Sequence, residues 1–192
     1  MQNPKLVATA TDSLLIVLDR VTPADLDRPT PCEGWSVRDL LNHLTHWNAV
    51  VSPRSARKLP RPDTEVEQEY LTRPDWQDHL RSGLRDAAEA WSEPQAWQGE
   101  TTMTRGPIPA AQVGSMAFGE LVAHGWDLAR AIDAPFPVTP EVVDAFTAYV
   151  AGMAPMAREH GVFGAEVPVG EGATALDRAL AAAGRDPGWR AG

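Results

Sequence analysis

Apolar residues recur at every third or fourth position in four long stretches of this chain, and helix start or stop signals flank those stretches. That period belongs to helices, because a half-buried strand alternates in twos. In residues 4 to 21 the shared face holds Leu6, Ala10, Leu14, Val17 and Leu18. Residues 36 to 51 hold Val37, Leu40, Leu41, Leu44, Trp47 and Val51, opened by Ser36 with Asp39 three residues on, close to a capping box. Ser52-Pro53 reads as its stop, and residues 53 to 64, rich in proline and arginine, as an exposed loop. Residues 74 to 91 carry Trp76, Leu80, Leu84, Ala87, Ala88 and Trp91, and residues 110 to 132 form a further strong helix.

Shorter signals fill the rest. Thr22, Pro23 and Asp25 suit a short turn of helix, and Thr139-Pro140 starts a helix running through Phe146, Tyr149, Val150 and Met153. Residues 92 to 109 read as irregular chain or a short hairpin, with a strand at 101 to 104. The tail reads as a loop, a short helix at about 173 to 183 ending on Gly184 as its C′ residue, and coil. Four helices of bundle length, with a long connection between the second and third, predict an all-α antiparallel four-helix bundle. The alternative is α+β, with a small sheet from residues 98 to 109. At 192 residues the chain fits one domain spanning 1–192, with 159–192 as a C-terminal extension packed on the bundle.

Charge and composition exclude several functions. A net charge of −9 opposes nucleic acid as a partner, since phosphate binding needs a basic face. No run of eighteen apolar residues is present, so no membrane-spanning helix is expected. The N-terminal stretch lacks a basic leader and meets Asp12, so it reads as a helix rather than a signal peptide. The single cysteine, Cys32, permits no internal disulfide, and a cytoplasmic location follows as the default. Scarce lysine with abundant Ala, Gly, Pro and Arg suggests a GC-rich genome.

The stretch AFGELVAHGWDLARAI, residues 117 to 132, places Glu120 and His124 four residues apart. Side chains so spaced stand one turn apart on one helix face and reach a common metal ion, although such pairs also occur as ordinary surface pairs. At about 100° per residue both lie on the flank of the face formed by Phe118, Leu121, Val122, Leu128, Ala129 and Ile132, looking into an interhelical groove. His43, beside Leu40, Leu44 and Trp47, is the candidate third ligand; its other reading is a core-edge histidine bonded to a carbonyl. His46 points further round, toward solvent, and His79 and His160 have no companions at ligand spacing. Asp127 serves as a fourth ligand, as the partner of an arginine such as Arg130, or as the group that holds a histidine nitrogen from behind. Three protein ligands leave coordination positions open, the pattern of catalytic zinc.

The segments TPCEGWSVRDLLNHL (30 to 44), GELVAHGWDLARA (119 to 131) and GRDPGW (184 to 189) together resemble the DinB-like bundles of actinobacteria. Within them the chain is similar to metal-binding proteins related to the N-terminal domain of mycothiol-dependent maleylpyruvate isomerase. The resemblance runs from about residue 5 to the end. It implies a four-helix bundle holding a divalent metal, zinc before nickel, on His43, Glu120 and His124, with mycothiol as co-substrate. It departs from the isomerase in length. About sixty residues follow the ligand helix, fewer than bundle completion plus the isomerase's further domain would need.

The expectation that survives is a metal that activates a low-molecular-weight thiol for S-transfer to, or isomerisation of, an electrophilic small molecule. The alternatives are a metal-dependent hydrolase, for which Asp127 is the one extra carboxylate in view, and a non-catalytic metal-binding protein. Arg105, in the loop before the ligand helix, is a candidate for holding a substrate carboxylate, and Trp47 for walling the pocket; solvated loop charge and core packing are the plainer readings. Cys32 precedes a helix N-terminus, which favours a thiolate, but no base is specified for it and an external thiol makes it dispensable. A homodimer is compatible with a bundle of this size.

Overall fold

The computed structural model describes residues 4–63, 65–104 and 106–191. Its elements are α1 (Lys5–Leu18), α2 (Val37–Leu44), a π-helical segment (Thr45–Val51), α3 (Ser52–Ala56), α4 (Trp76–Ser92), β1 (Glu100–Thr102), β2 (Pro107–Pro109), α5 (Ala110–Ala131), α6 (Pro140–Glu159) and α7 (Ala175–Ala182). The fold is an all-α, DinB-like antiparallel four-helix bundle. α1 packs on α4 and α5, and the run from α2 to α3 packs on the same two helices. Leu14, Leu18, Leu40, Leu44, Leu80, Leu84 and Leu128 are fully buried between them, each contributing about 2 kcal/mol of hydrophobic stabilisation. α6 lies against α1 and α5, and α7 lies against α6. Among the described residues no helix is long and apolar enough to cross a membrane.

The local signals act as the sequence suggests. Ser36 and Asp39 close a capping box on α2, Thr22 and Asp25 close one on the Pro23–Asp25 turn, and Thr139 caps α6. Gly184 ends α7 with φ +84°. The segment after Ser92 forms an antiparallel hairpin with Thr101 opposite Ile108, which leaves the architecture helical.

Two expectations fail around α2. The second helix does not stop at Ser52-Pro53 but continues to Ala56. A proline ring inside a helix collides with the carbonyl four residues back, here Ala49. The wider π-helical turns over Thr45–Val51 relocate that carbonyl, and α4 covers it at Gly83, where a Cβ would lie 2.6 Å from the Ala49 oxygen. The exposed loop therefore begins at Arg57, because Pro53, Ser55 and Ala56 are buried. His46, expected in solvent, is 4% exposed. The connection between α3 and α4 doubles back over it: Tyr70 brings its hydroxyl to 3.0 Å from His46 Nδ1, and the Leu71 amide donates to Asn42 at 3.1 Å. Burial pushes the His46 imidazole down and keeps it neutral.

The same connection is pinned at Arg54 of α3. Its guanidinium donates to both oxygens of Glu65, at 2.9 and 3.2 Å, and to the carbonyls of Leu59, Thr102 and Met103.

Candidate metal centre

Three elements deliver the site. The loop before α2 is fixed by its own backbone: the amides of Thr30 and Trp35 donate to the carbonyls of Trp35 and Cys32, each at 3.0 Å, and the Val37 amide donates to Arg28. This holds Cys32 beside His124 and Asp127, and Trp35 beside His43 and His124. α2 supplies His43 from its last turn, and α5 supplies Glu120, His124 and Asp127 from one flank.

The three residues singled out as ligands converge. Glu120 Oε2 lies 3.0 Å from His43 Nε2 and 3.1 Å from His124 Nε2, and one ligand atom from each of the three lies within 4.8 Å of the other two. Tetrahedral zinc with bonds of about 2.1 Å sets its ligand atoms roughly 3.4 Å apart, so small adjustments suffice. Behind His124, the Asp127 Oδ2 takes the Nδ1 hydrogen at 2.9 Å. That bond fixes the tautomer. A neutral His124 then aims its Nε2 lone pair at a carboxylate lone pair 3.1 Å away, which is repulsive unless a proton or a metal cation lies between them. The donor set therefore fits a divalent cation. Glu67 faces the remaining nitrogen of His43 at 4.0 Å, beyond hydrogen-bond range.

Charge follows the same layout. Burial pushes the Glu120 carboxyl up, but the adjoining His124 and His43 outweigh it and hold the group well below the usual carboxylate range. Burial pushes His124 down, yet Glu120 and Asp127 together raise it well above an ordinary imidazole. Asp127 is fully buried; against that burial Arg185 and His124 keep it lowered and charged. The same Oδ2 also accepts from Arg185 Nη2 at 3.2 Å and from the Cys32 thiol at 3.1 Å.

A second set, Cys32, His124 and Asp127, is equally close-packed. Arg185 stands 3.9 Å from its sulfur and 3.2 Å from its carboxylate, so a cation there would meet a fixed positive charge. The Nε2 side is the favourable one.

His43, Glu120 and His124 face a cavity of about 330 Å³ that is also lined by Cys32, Trp35, Phe146, Tyr149 and Arg185. Trp35 stacks on His124 at 6.1 Å and tilts over His43 at 4.9 Å. Trp47 stands 6.3 Å from His43 and lines a separate small cavity with Glu120. Asp127 lies behind His124 and pairs with Arg185, whereas Arg130 donates to the Pro187 carbonyl at 2.9 Å. Arg105 lies outside the described residues.

Sequence reasoning missed Cys32, Trp35, Tyr149 and Arg185 as cavity residues. The signals for the first, second and fourth were the motifs TPCEGW and GRDPGW. Tyr149 reaches the site because Gly119 precedes Glu120: a Cβ there would fall on the phenol ring, 2.8 Å from its oxygen. Burial and the nearby Glu120 charge push the Tyr149 phenol up, so it stays protonated.

Residues 7–129 match the family described as the mycothiol maleylpyruvate isomerase N-terminal domain. Two uncharacterised proteins of Mycobacterium tuberculosis, one from each of two strains, are 26% identical over 136 residues, covering 69% of this chain and 69% of each relative. The crystal structure of the mycothiol-dependent maleylpyruvate isomerase superposes with a TM-score of 0.58 at 22% identity, covering 77% of this chain and 67% of that one. A histidine-to-alanine mutant of that isomerase superposes at 0.56 and 19% identity, with the same coverage.

Proposed function

The chain belongs to the mycothiol maleylpyruvate isomerase N-terminal domain family, and on that premise we propose that it is an enzyme working through a thiol. His43, Glu120 and His124 would hold a divalent metal, zinc before nickel, and that ion would supply the charge that activates a low-molecular-weight thiol of the mycothiol type. The activated thiol isomerises, or is transferred to, an electrophilic small molecule. The observation that carries this reading is the convergence of two imidazole nitrogens and one carboxylate oxygen on an open cavity, with Asp127 orienting one imidazole from behind.

Bound there, the metal would supply a positive charge that keeps a thiol sulfur ionised near neutral pH. The protein's own groups do the rest. Asp127 and Arg185 fix His124, Trp35 covers both imidazoles from one side, and Phe146 and Tyr149 form an apolar wall that limits water around the sulfur. A hydrolase would need a further carboxylate facing the cavity as base. Asp127, the one candidate from the sequence, is fully buried and committed to three donors, which favours the thiol reading. We place this chemistry in the cytoplasm, where thiols are kept reduced. Residues 1–192 act as one DinB-like unit in this reading, the 159–192 extension contributing Arg185 and Phe163 to the cavity.

The test is turnover. Zinc-loaded protein should consume mycothiol in the presence of an activated alkene, or isomerise maleylpyruvate in a mycothiol-dependent way. Chelation should abolish the activity and zinc restore it. A loaded protein inert with mycothiol across such electrophiles would overturn the proposal.

A further inference from the structure

Tyr149 borders two cavities. One is the polar cavity that holds the three candidate ligands; the other, of about 340 Å³, lies between the start of α1, α5 and α6. The walls of the second include Leu6, Trp97, Phe118 and Met153 with the polar Gln112, and among the described residues no charged side chain lines it. Leu6, Trp97 and Phe118 are buried at its floor and Ala148 and Gly152 are exposed at its rim, so this is a groove with an apolar floor that opens to solvent. Ser115 lines it too, but its hydroxyl is used on the Ala111 carbonyl at 2.8 Å. The Tyr149 hydroxyl is different: among the described residues it has no hydrogen-bond partner, and it rests against Gly119, a residue of the polar cavity.

The two chambers sort ligands by chemistry. A sugar-bearing thiol needs many hydrogen bonds and finds more partners on the side of His43, Glu120 and Arg185, since Gln112 and the Tyr149 hydroxyl are the polar groups the other chamber leaves uncommitted among the described residues. A cavity of about 150 Å³ suffices for a benzene ring, so the apolar chamber has room for a ring with a short chain. We propose that this chamber binds the apolar, aromatic or branched-aliphatic, part of a carbonyl-bearing second substrate, and that the Tyr149 hydroxyl donates a hydrogen bond to its carbonyl oxygen where the chambers adjoin. The role as second substrate rests on the thiol-enzyme reading; the binding itself requires neither metal nor thiol.

That independence sets the experiment. The full chain, chelator-treated and thiol-free, is titrated with 4-phenyl-2-butanone and with butylbenzene, followed by calorimetry and tryptophan emission. The ketone should bind saturably, one per chain, at roughly millimolar affinity or tighter. Gly152 lines the chamber, and a Cβ there meets nothing within 4 Å, so Gly152→Phe should fill it without displacing the helix and weaken both probes at least about tenfold. Tyr149→Phe keeps the ring and should weaken the ketone by roughly three- to tenfold while leaving butylbenzene unchanged. Melting temperatures of both variants should match the parent.

Absence of saturable binding, indifference to Gly152→Phe, or an equal loss of both probes in Tyr149→Phe would each overturn the inference. Ketone binding by a protein that fails the mycothiol assay would retain the chamber and remove only the thiol chemistry. Turnover without ketone binding would do the reverse.

Discussion

Two clusters of charged side chains are largely withdrawn from water in this bundle, and they are finished differently. Around Arg54 every charge is answered. Glu65 takes two of its donors, three carbonyls take the rest, and the two side chains are 10% and 7% exposed. Around Glu120 only the back is closed. Asp127, Arg185 and Cys32 satisfy one another behind His124, while Glu120, 27% exposed, and the two histidine nitrogens turn toward a cavity. A closed cluster fastens a connection; one left open on a cavity, with lone pairs converging, is built to hold something.

The contrast predicts opposite responses to mutation. The largest effect is on metal affinity: Glu120→Gln or His124→Ala should weaken zinc binding by roughly a thousandfold or more and remove the zinc-dependent rise in melting temperature, as read by calorimetry. Arg54→Ala should leave zinc affinity alone but cost about 2 kcal/mol in denaturant unfolding, because the buried Glu65 then keeps only the part-exposed Arg61, 3.1 Å away, as its cation. Pairing it with Glu65→Leu should recover most of that loss. A destabilised Arg54→Ala that also lost zinc would merge the two clusters into one.

Next in size is Asp127→Asn. It keeps the shape but weakens the hold on the His124 Nδ1 hydrogen and leaves Arg185 without its anion, so zinc affinity should fall by about ten- to a hundredfold. The smallest effect is that of pH. Glu120 and Asp127 raise the proton affinity of His124, and that proton competes with a metal. Zinc affinity should therefore rise with pH, by up to about tenfold per unit, and go on rising above pH 6.5, where an ordinary histidine has already lost its proton. Affinity flat from pH 6 to 8 would remove His124 from the ligand set.

Much of this was legible in the chain because it is local. Capping at Ser36 and Thr139 depends on residues three positions apart, and the Glu120–His124 spacing is one helical turn. His43 could be paired with them because Leu40, Leu44 and Trp47 fix the face of its helix. What failed was non-local. A helical wheel sends His46 to solvent because it has no term for a connection that returns with Tyr70, and it assumes an α-helical period where Thr45–Val51 is π-helical. Arg185 stands 58 residues from Asp127 and Cys32 stands 95, with no periodicity to join them. Only their place in recurring motifs marked them.

The central claim is a metal on His43, Glu120 and His124, and elemental analysis tests it most directly. Protein purified without chelator should carry about one divalent ion per chain. His43→Ala and His124→Ala should carry almost none, while Arg54→Ala keeps its full complement. A parent chain without stoichiometric metal, or histidine variants that retain it in full, would contradict the assignment.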